Sequence, residues 1–338
     1  MLVGINFWIE NLEDRILGIH HVTAIAGDPQ KNIDFYNGIL GLRLVKVTVN
    51  YDDPTTYHFY YGDQLGHPGS IITFFPWPDA PRGRIGTGQL STTSFSIPTH
   101  SLPYWMDRLK SRGVVFQGPI DRFDEQVLAF EDHEGLRLEL VAHEHRDDRE
   151  PWKDGPVPVQ YAIRGFYGVT LTEDGYQQTA SLLTRLGFHA TEELGSKTQA
   201  EVRYEAEDEG PGKIVNILCQ PAAPPGLVSV GTVHHVAWRT PTDEQHASWR
   251  QKIAGMGLNV TPIIDREYFH SIYFREPGGV LFEVATDPPG FTVDQPERDL
   301  GTQLMLPPWL EPRRRILEQV LPKISLPRPV AQTITGAA

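Results

Sequence analysis

Four stretches of the chain repeat one order of apolar and polar positions. Each opens with an apolar run, continues with an amphipathic run that a glycine ends, and closes with three apolar runs separated by turn residues. In the first stretch the amphipathic run places Ile33, Tyr36 and Leu40 at near-helical spacing before Gly41. A glycine in that place is typical of a helix end. The pattern predicts four units of strand, helix and three strands (βαβββ).

The repeat divides the chain into segments. They are an N-terminal extension at 1–16, unit one at 17–80, unit two at 88–146, a linker at 147–163, unit three at 164–222, unit four at 230–288 and a C-terminal tail at 289–338. One βαβββ unit is too small to close a sheet by itself, so two units must pair. We therefore expect an α+β fold in which the four units form two cup-shaped, open-barrel mixed sheets with helices outside.

Periodicity and turn residues also place single elements within these units. The later helices are predicted at 102–111, 176–186, 244–256 and 312–321. The strand after the helix is predicted at 114–117 in unit two and at 258–264 in unit four. Both strands follow a glycine that ends a helix, as their counterparts in units one and three do.

Composition narrows the kinds of partner. The 338 residues include 30 basic and 43 acidic ones, a net charge of −13 that argues against nucleic acid or an anionic membrane and favours small molecules. The single cysteine, Cys219, excludes an intramolecular disulfide and a cysteine-based metal cluster. No apolar stretch approaches the roughly 18 residues of a membrane span, and residues 1–16 have neither the basic region nor the A-x-A-like cleavage site that are typical of a signal peptide. We expect a cytoplasmic protein.

Two histidine doublets stand at equivalent places in the repeat. His20 and His21 lie in the first strand of unit one, and His234 and His235 lie in the first strand of unit four. Side chains alternate between the faces of a strand, so one histidine of each doublet faces into a cup. Glu283 lies in the apolar last strand of unit four, where a charge is costly unless it is paired or bound to a metal. Two histidines and one carboxylate form the ligand set of non-haem Fe(II) sites that leave positions for substrate and O2.

The doublets also predict which units pair. If His21 and His235 face inward, they and Glu283 enter one cup from equivalent positions. Units two and three have no histidine in their first strands, although unit two has Glu139 at the place of Glu283. We therefore predict that units one and four form the metal site and that units two and three form a half without metal. The opposing interpretation is that the histidines form ordinary hydrogen bonds at strand edges and that Glu283 pairs with an arginine.

Several motifs together resemble the vicinal oxygen chelate superfamily of glyoxalases, bleomycin resistance proteins and extradiol dioxygenases. They are the two His-His-Val motifs, Pro277-Gly278-Gly279-Val280-Leu281-Phe282-Glu283, Tyr51-Asp52-Asp53-Pro54, Tyr57-His58-Phe59-Tyr60, Gly290-Phe291-Thr292 and Glu297-Arg298-Asp299-Leu300-Gly301. The likeness spans about residues 17–305 and is greatest to the hydroquinone-type ring-cleaving dioxygenases. It implies Fe(II) held by His21, His235 and Glu283, with Mn(II) as the alternative metal.

The resemblance also implies a substrate pocket ringed by His20, Thr23, His234, Arg266 and Tyr273. Tyr273 lies ten residues before Glu283, where extradiol enzymes of this superfamily tend to have a tyrosine that touches the bound phenol. Plainer interpretations exist for most of these residues. The outer histidines would bind backbone carbonyls, Tyr273 would be an ordinary strand aromatic, and Arg266 would form a surface ion pair.

The activity implied by the resemblance is insertion of both atoms of O2 into a substituted hydroquinone. Its partners would be a small aromatic substrate and O2, and we expect a homo-oligomer. Two alternatives keep the metal: an extradiol catechol dioxygenase and a glyoxalase-type isomerase. The isomerase is weakened because the last strand of unit one, at 70–75, has no carboxylate. A third alternative is a metal-free binding or resistance protein of the same fold.

Overall fold

Two mixed sheets of eight strands each curl into cups, and few helices accompany them. The computed structural model describes residues 15–196, 199–206 and 210–327, without the side chains of Ser196 and Gln199. Of the predicted extension at 1–16, residues 1–14 lie outside these ranges, as do residues 328–338 of the predicted tail. The predicted α+β class with two cup-shaped sheets is confirmed.

The elements follow the predicted order within each unit. Unit one contains β1 (Ile19–Ala26), α1 (Pro29–Ile33), β2 (Arg43–Val49), β3 (Tyr57–Gly62) and β4 (Ile71–Pro76). Unit two contains β5 (Gln89–Pro98), α2 (Leu102–Ser111), β6 (Phe116–Arg122), β7 (Glu125–Glu131) and β8 (Arg137–His143). Unit three contains β9 (Gly165–Glu173), α3 (Gln177–Arg185), β10 (Phe188–Ser196), β11 (Gln199–Ala206) and β12 (Ile214–Cys219).

Unit four and the tail complete the chain. Unit four contains β13 (Thr232–Thr240), α4 (Asp243–Gly255), β14 (Ile264–Asp265), β15 (Phe269–Arg275) and β16 (Leu281–Pro289), and the tail contains α5 (Arg314–Val320). None of the helices in the described ranges has the length and apolar composition that crossing a lipid bilayer requires.

Three elements differ from their predicted form. The helix of unit one is α-helical only to Ile33 and continues as a π-helix over Asp34–Ile39. The strand predicted at 114–117 starts at Phe116, the first residue there that pairs with β7, and extends to Arg122. The strand predicted at 258–264 is reduced to β14. Pro262 has no N–H to donate to a ladder, and before β14 only Val260 forms a bridge with β15.

The strand order brings distant parts of the chain together. The first sheet has the order β14-β15-β16-β13-β1-β4-β3-β2, and the second has the order β10-β11-β12-β9-β5-β8-β7-β6. Units one and four thus share the first sheet, and units two and three share the second. In each sheet the first strands of the two units lie side by side and antiparallel, β1 with β13 and β5 with β9. The centre of each cup is therefore a junction between two units.

Both faces of β1 are buried, which explains its nearly continuous apolar sequence. Val22 and Ala24 belong to the large hydrophobic core, whereas His21 and Thr23 on the opposite face line the cup. The strand register brings the residues of the cup floor together. Thr23 of β1 lies opposite His235 of β13, and Ala237 of β13 lies opposite Glu283 of β16.

The tail covers the edge strand β2 of the first sheet. Leu304 forms a parallel bridge with Val47. The buried Lys46 ammonium donates to the Phe291 carbonyl at 3.1 Å, to Asp294 Oδ1 at 2.5 Å and to Gln295 Oε1 at 2.7 Å. A lysine loses hydration when it is buried, and three oxygen acceptors replace that hydration here. The contacts attach the tail firmly to unit one.

Candidate metal centre

Three potential ligand atoms converge on the floor of the first cup. The Nε2 atoms of His21 and His235 lie 3.3 and 2.9 Å from Oε2 of Glu283, and 3.4 Å from each other. All three side chains are buried, Glu283 completely. No other group of three or more histidine, cysteine or acidic residues in the described ranges has ligand atoms this close together.

The spacing of these atoms fits a metal ion. Ligands at roughly 2.1 Å from a metal and at right angles to each other lie roughly 3.0 Å apart. The observed separations of 2.9, 3.3 and 3.4 Å are near that value. His21, His235 and Glu283 would thus hold a metal ion from one side and leave the other side open to further ligands.

Hydrogen bonding fixes the tautomer of His21. The Nε2 atom of His20 lies 3.1 Å from the carbonyl of Thr286, which can only accept, so this nitrogen carries a hydrogen. Burial lowers the pKa of His20 well below its usual value and keeps the ring neutral, so its Nδ1 is an acceptor. The Nδ1 of His21, 2.9 Å away, must then donate. Its Nε2 therefore has a free lone pair that faces Glu283, as a metal ligand requires.

The second doublet has the same inner contact but lacks the outer one. Nδ1 of His234 lies 2.7 Å from Nδ1 of His235. In the described part of the chain, Nε2 of His234 has no hydrogen-bond partner, and the half-buried ring lines the pocket. Burial and the neighbouring His235 lower the pKa of His234 to about 3. The two doublets thus differ, because Nε2 of His20 is hydrogen-bonded to a backbone carbonyl, whereas Nε2 of His234 is available to a bound molecule.

Glu283 is an anion that lacks a hydrogen-bond donor on one side. Its Oε1 accepts from the Ser271 hydroxyl at 2.5 Å, and its Oε2 has no hydrogen-bond donor among the described residues. A buried carboxylate oxygen that faces two imidazole lone pairs is unfavourable unless a cation lies between them. The donor set fits a divalent metal ion.

A cavity of about 330 Å³ opens above the three ligand atoms. Six of the eight residues singled out from the sequence line it, namely His21, Thr23, His234, His235, Arg266 and Tyr273. Glu283 lies at its floor, in contact with His21 and His235. His20 does not line this cavity, because it points behind His21 into a separate cleft of about 430 Å³. Phe75, Trp77, Phe269 and Leu281 provide apolar walls.

Arg266 and Tyr273 form one wall of the cavity. Nε of Arg266 lies 3.2 Å from the Tyr273 hydroxyl, and Nη1 lies 3.0 Å from Oδ2 of the exposed Asp52. Burial and Glu283 raise the pKa of Tyr273, so its phenol stays protonated. Arg266 thus combines the two predicted situations, because it forms an ion pair at the surface and also faces the pocket.

A family model described as Glyoxalase/Bleomycin resistance protein/Dioxygenase superfamily matches residues 18–140 and 168–284. The chain belongs to this superfamily. The match covers parts of all four units, which agrees with the resemblance seen in the sequence. The superfamily assignment accounts for the paired cups and leaves the reaction to be argued from the site.

Three relatives of this superfamily member cover most of its length. Over 91% of its length, the chain is 46% identical to "Putative ring-cleaving dioxygenase MhqO" of Bacillus subtilis (strain 168), and the aligned part covers 96% of that relative. Over 89% of its length, the chain is 33% identical to the chlorohydroquinone/hydroquinone 1,2-dioxygenase of Sphingobium indicum, and the aligned part covers 94% of that relative. The solved structure of a "putative dioxygenase" from Bacillus subtilis superimposes with a TM-score of 0.87 at 44% identity, covering 92% of this chain and 98% of that one.

The sequence interpretation missed a hydrogen-bond chain in the wall of the superfamily pocket. The Tyr60 hydroxyl lies 2.9 Å from Nδ1 of His58, whose Nε2 lies 2.8 Å from the Thr73 hydroxyl. That hydroxyl lies 2.9 Å from Thr23 Oγ1. The sequence did contain a signal, because His58 in β3, Thr73 in β4 and Thr23 in β1 are polar residues at inward positions of otherwise apolar strands. This signal identifies candidate residues but not which of them contact each other.

The chain can run in either direction. If Tyr60 donates to Nδ1 of His58, then His58 donates from Nε2 to Thr73, Thr73 donates to Thr23, and the hydroxyl hydrogen of Thr23 is left over. In the reverse direction the hydroxyl hydrogen of Tyr60 is left over. Thr23 and Tyr60 both line the cavity, so in either case one hydroxyl hydrogen is free for a bound molecule.

Proposed function

We propose that the chain is an Fe(II)-dependent ring-cleaving dioxygenase that inserts both atoms of O2 into a substituted hydroquinone. The observation that carries the proposal is the convergence of His21, His235 and Glu283 at the floor of a cavity of about 330 Å³. One relative is named "Putative ring-cleaving dioxygenase MhqO" and another is a chlorohydroquinone/hydroquinone 1,2-dioxygenase, and these names support the reaction and the substrate class. Two histidines and one carboxylate on one face favour Fe(II), and Mn(II) is the alternative.

The cavity suits one substituted aromatic ring. A cavity of roughly 150 Å³ holds benzene, so about 330 Å³ leaves room for ring substituents and O2. Phe75 and Trp77 offer aromatic surface to the ring faces. When bound, Fe(II) would bring the substrate hydroxyl and O2 together and conduct charge between them.

His234 donates a hydrogen bond to the substrate in this proposal. Its ring lines the cavity, and its Nε2 has no hydrogen-bond partner among the described residues. If His235 binds the metal through Nε2, its Nδ1 carries the hydrogen and donates to Nδ1 of His234, so the neutral His234 has its own hydrogen on the Nε2 that faces the cavity. His20, which Thr286 holds behind His21, orients that ligand and does not touch the substrate.

Three other residues stabilise negative charge on the substrate. In this proposal the hydrogen-bond chain runs from Tyr60 to Thr23, so Thr23 offers its hydroxyl hydrogen, and Tyr273 offers a protonated phenol. Arg266 contributes a positive charge behind Tyr273. Donors that are held in place before charge develops cost no reorganisation during the reaction, which makes them effective.

A glyoxalase-type isomerase is less well supported by the site. The position in unit one that corresponds to Glu283 is Thr73, since Thr23 lies opposite Thr73 as Ala237 lies opposite Glu283. The Thr73 hydroxyl is already engaged with Thr23 and His58. The remaining carboxylate of the lining, Asp52, is exposed and paired with Arg266.

Oxygen uptake tests the proposal directly. The full-length protein, reconstituted with Fe(II) without oxygen, is mixed with hydroquinone, chlorohydroquinone, methylhydroquinone and catechols, and the product formed from ¹⁸O2 is weighed by mass spectrometry. We expect uptake with the hydroquinones and two labelled atoms in each product molecule, and none with a His235→Ala control. Uptake with catechols alone would favour the extradiol alternative, and no uptake with the iron bound would refute the proposal.

A further inference from the structure

The two cups contain an arginine at the same place. Arg122 ends β6 and lies opposite Glu125, the first residue of β7. The backbone N–H of Arg266, just after β14, donates to the carbonyl of Phe269, the first residue of β15. Each arginine follows an Ile-Asp pair in the sequence. Arg122 of the second cup and Arg266 of the first are therefore structural equivalents.

The two cups also contain a carboxylate at the same place. Glu139 on β8 lies opposite Ser94 of β5, and Glu283 on β16 lies opposite Ala237 of β13. Both acids point into the interior of their cups and are almost fully buried. An arginine and a carboxylate thus occur as a matched set in each half.

The matched sets pair differently. Nη1 and Nη2 of Arg122 lie 3.0 and 2.7 Å from the two oxygens of Glu139, a bidentate ion pair. Arg266 instead contacts Asp52 and the Tyr273 hydroxyl, and its guanidinium carbon lies 5.4 Å from the centre of the Tyr273 ring. The same two residue types form an ion pair in one cup and stay apart in the other.

The residue beside each acid accounts for this difference. Ala129 of β7 lies opposite Glu139, and Tyr273 of β15 lies opposite Glu283. A methyl group leaves room for a guanidinium to reach the carboxylate. A phenol ring fills that space and gives Arg266 a hydrogen-bond acceptor at a distance from Glu283.

We propose that Tyr273 is a positioning residue that keeps the guanidinium of Arg266 away from Glu283 and so leaves that carboxylate free to bind a metal ion. The inference rests on the proposed metal site. A bidentate guanidinium occupies the same oxygen lone pairs that a metal needs, so the two cations compete for Glu283. The second cup displays the outcome when the ring is absent, because its carboxylate is neutralised by Arg122.

Metal titration of the metal-free full-length protein tests the inference without turnover. Mn(II) is the probe, and its dissociation constant is measured by calorimetry for wild type, Tyr273→Phe, Tyr273→Ala and Tyr273→Ala with Arg266→Gln. Loss of a group that orients a metal ligand costs about 10- to 100-fold in metal affinity. We expect such a loss in Tyr273→Ala, recovery to near wild type in the double variant, and no loss in Tyr273→Phe, which keeps the ring.

Other results would overturn the inference. They are unchanged affinity in Tyr273→Ala, or equal weakening in the double variant, which would mean that Arg266 is not the competitor. Tyr273→Ser is a second truncation if the alanine variant unfolds, and a crystal structure of either metal-free variant should contain an Arg266–Glu283 ion pair. Failure of the wild-type protein to bind Mn(II) would be a separate result, which overturns the metal site and leaves this role of Tyr273 without a site to protect.

Discussion

The two cups share one strand order and differ in how they neutralise a buried acid. The register of the strands gives the matching positions: His21 with Gly168, His235 with Thr92, and Glu283 with Glu139. Only the carboxylate is present in both. In the second cup a guanidinium pairs with it, whereas in the first two histidines converge on it without a hydrogen-bond donor. The acid alone therefore does not mark the functional half.

The difference extends to the walls of the cups. Tyr60 and Thr73 of the first cup correspond to Arg203 and Asn216 of the second, since each pair lies face to face in the same ladder. Arg203 donates to Asn216 at 3.0 Å and forms an ion pair with Glu125. Ion pairs in the second cup thus involve the counterparts of Glu283 and Tyr60, which in the first cup belong to the candidate ligands and the hydrogen-bond chain. The two cups share a topology but not the chemistry of their interiors.

The sharpest test of this contrast exchanges one acid at a time. Glu283→Gln should abolish Mn(II) binding and oxygen uptake, because an amide cannot supply the anionic ligand. The matched change Glu139→Gln should leave both intact, since Arg122 occupies that site. Metal content by elemental analysis and oxygen uptake measure the two outcomes. Equal loss in both variants would contradict the division of labour between the cups.

The second expected effect is on stability alone. Arg122→Ala leaves Glu139 buried without its cation, a change that costs about 3–5 kcal/mol in the free energy of unfolding. Urea unfolding measures the loss, and activity is compared per folded molecule. Arg122→Met combined with Glu139→Leu is the control and should recover most of the stability. A fall in turnover per folded molecule would contradict a purely structural second cup.

A third contrast concerns the ends of the strands β1 and β9. Ala26 of β1 corresponds to Glu173 of β9, which is fully buried and has no hydrogen-bond partner on either oxygen among the described residues. Burial and the nearby Glu276 raise the pKa of Glu173 from 4.5 to about 8. Between pH 4.5 and about 8, Glu173 therefore stays protonated in the folded protein, whereas the same carboxyl group has lost its proton in the unfolded chain.

Stability should consequently fall as the pH rises from about 4.5 to about 8. The slope from this group is at most about 1.4 kcal/mol per pH unit. Glu173→Gln should remove the slope and be more stable than wild type near pH 8, and the exposed neighbour change Asp174→Asn should not. Urea unfolding between pH 5 and 9 measures both. An identical pH profile for wild type and Glu173→Gln would refute the assignment.

The smallest expected effect lies in the wall of the first cup. Thr73→Val cuts the chain between His58 and Thr23, so the Thr23 hydroxyl is no longer held in one direction. Loss of one hydrogen bond of about 1 kcal/mol lowers kcat roughly fivefold, with bound metal unchanged. Thr73→Ser keeps the hydroxyl and should remain near wild type. If Thr73→Ser loses as much activity as Thr73→Val, packing and not the hydrogen bond is responsible.

Local pattern was enough to predict most of the fold. Helix and strand periods are set by neighbouring residues, so α2 at Leu102–Ser111 and β2 at Arg43–Val49 start and stop where periodicity predicts. The predicted strand at 258–264 failed because whether a short apolar run pairs depends on its partner as well as on its own sequence, and Pro262 limits that pairing.

The sequence by itself determined which chemistry was available: two histidine doublets, an acid in an apolar strand, and a repeat that makes their positions equivalent. Tertiary structure decided which atoms meet. The tether of His20 joins residues 266 positions apart, and the contact between His21 and His235 spans 214 positions. Strand alternation shows which residues share a face but cannot show that Tyr273 stands between Arg266 and Glu283. That arrangement depends on the packing of side chains from neighbouring strands within a closed cup.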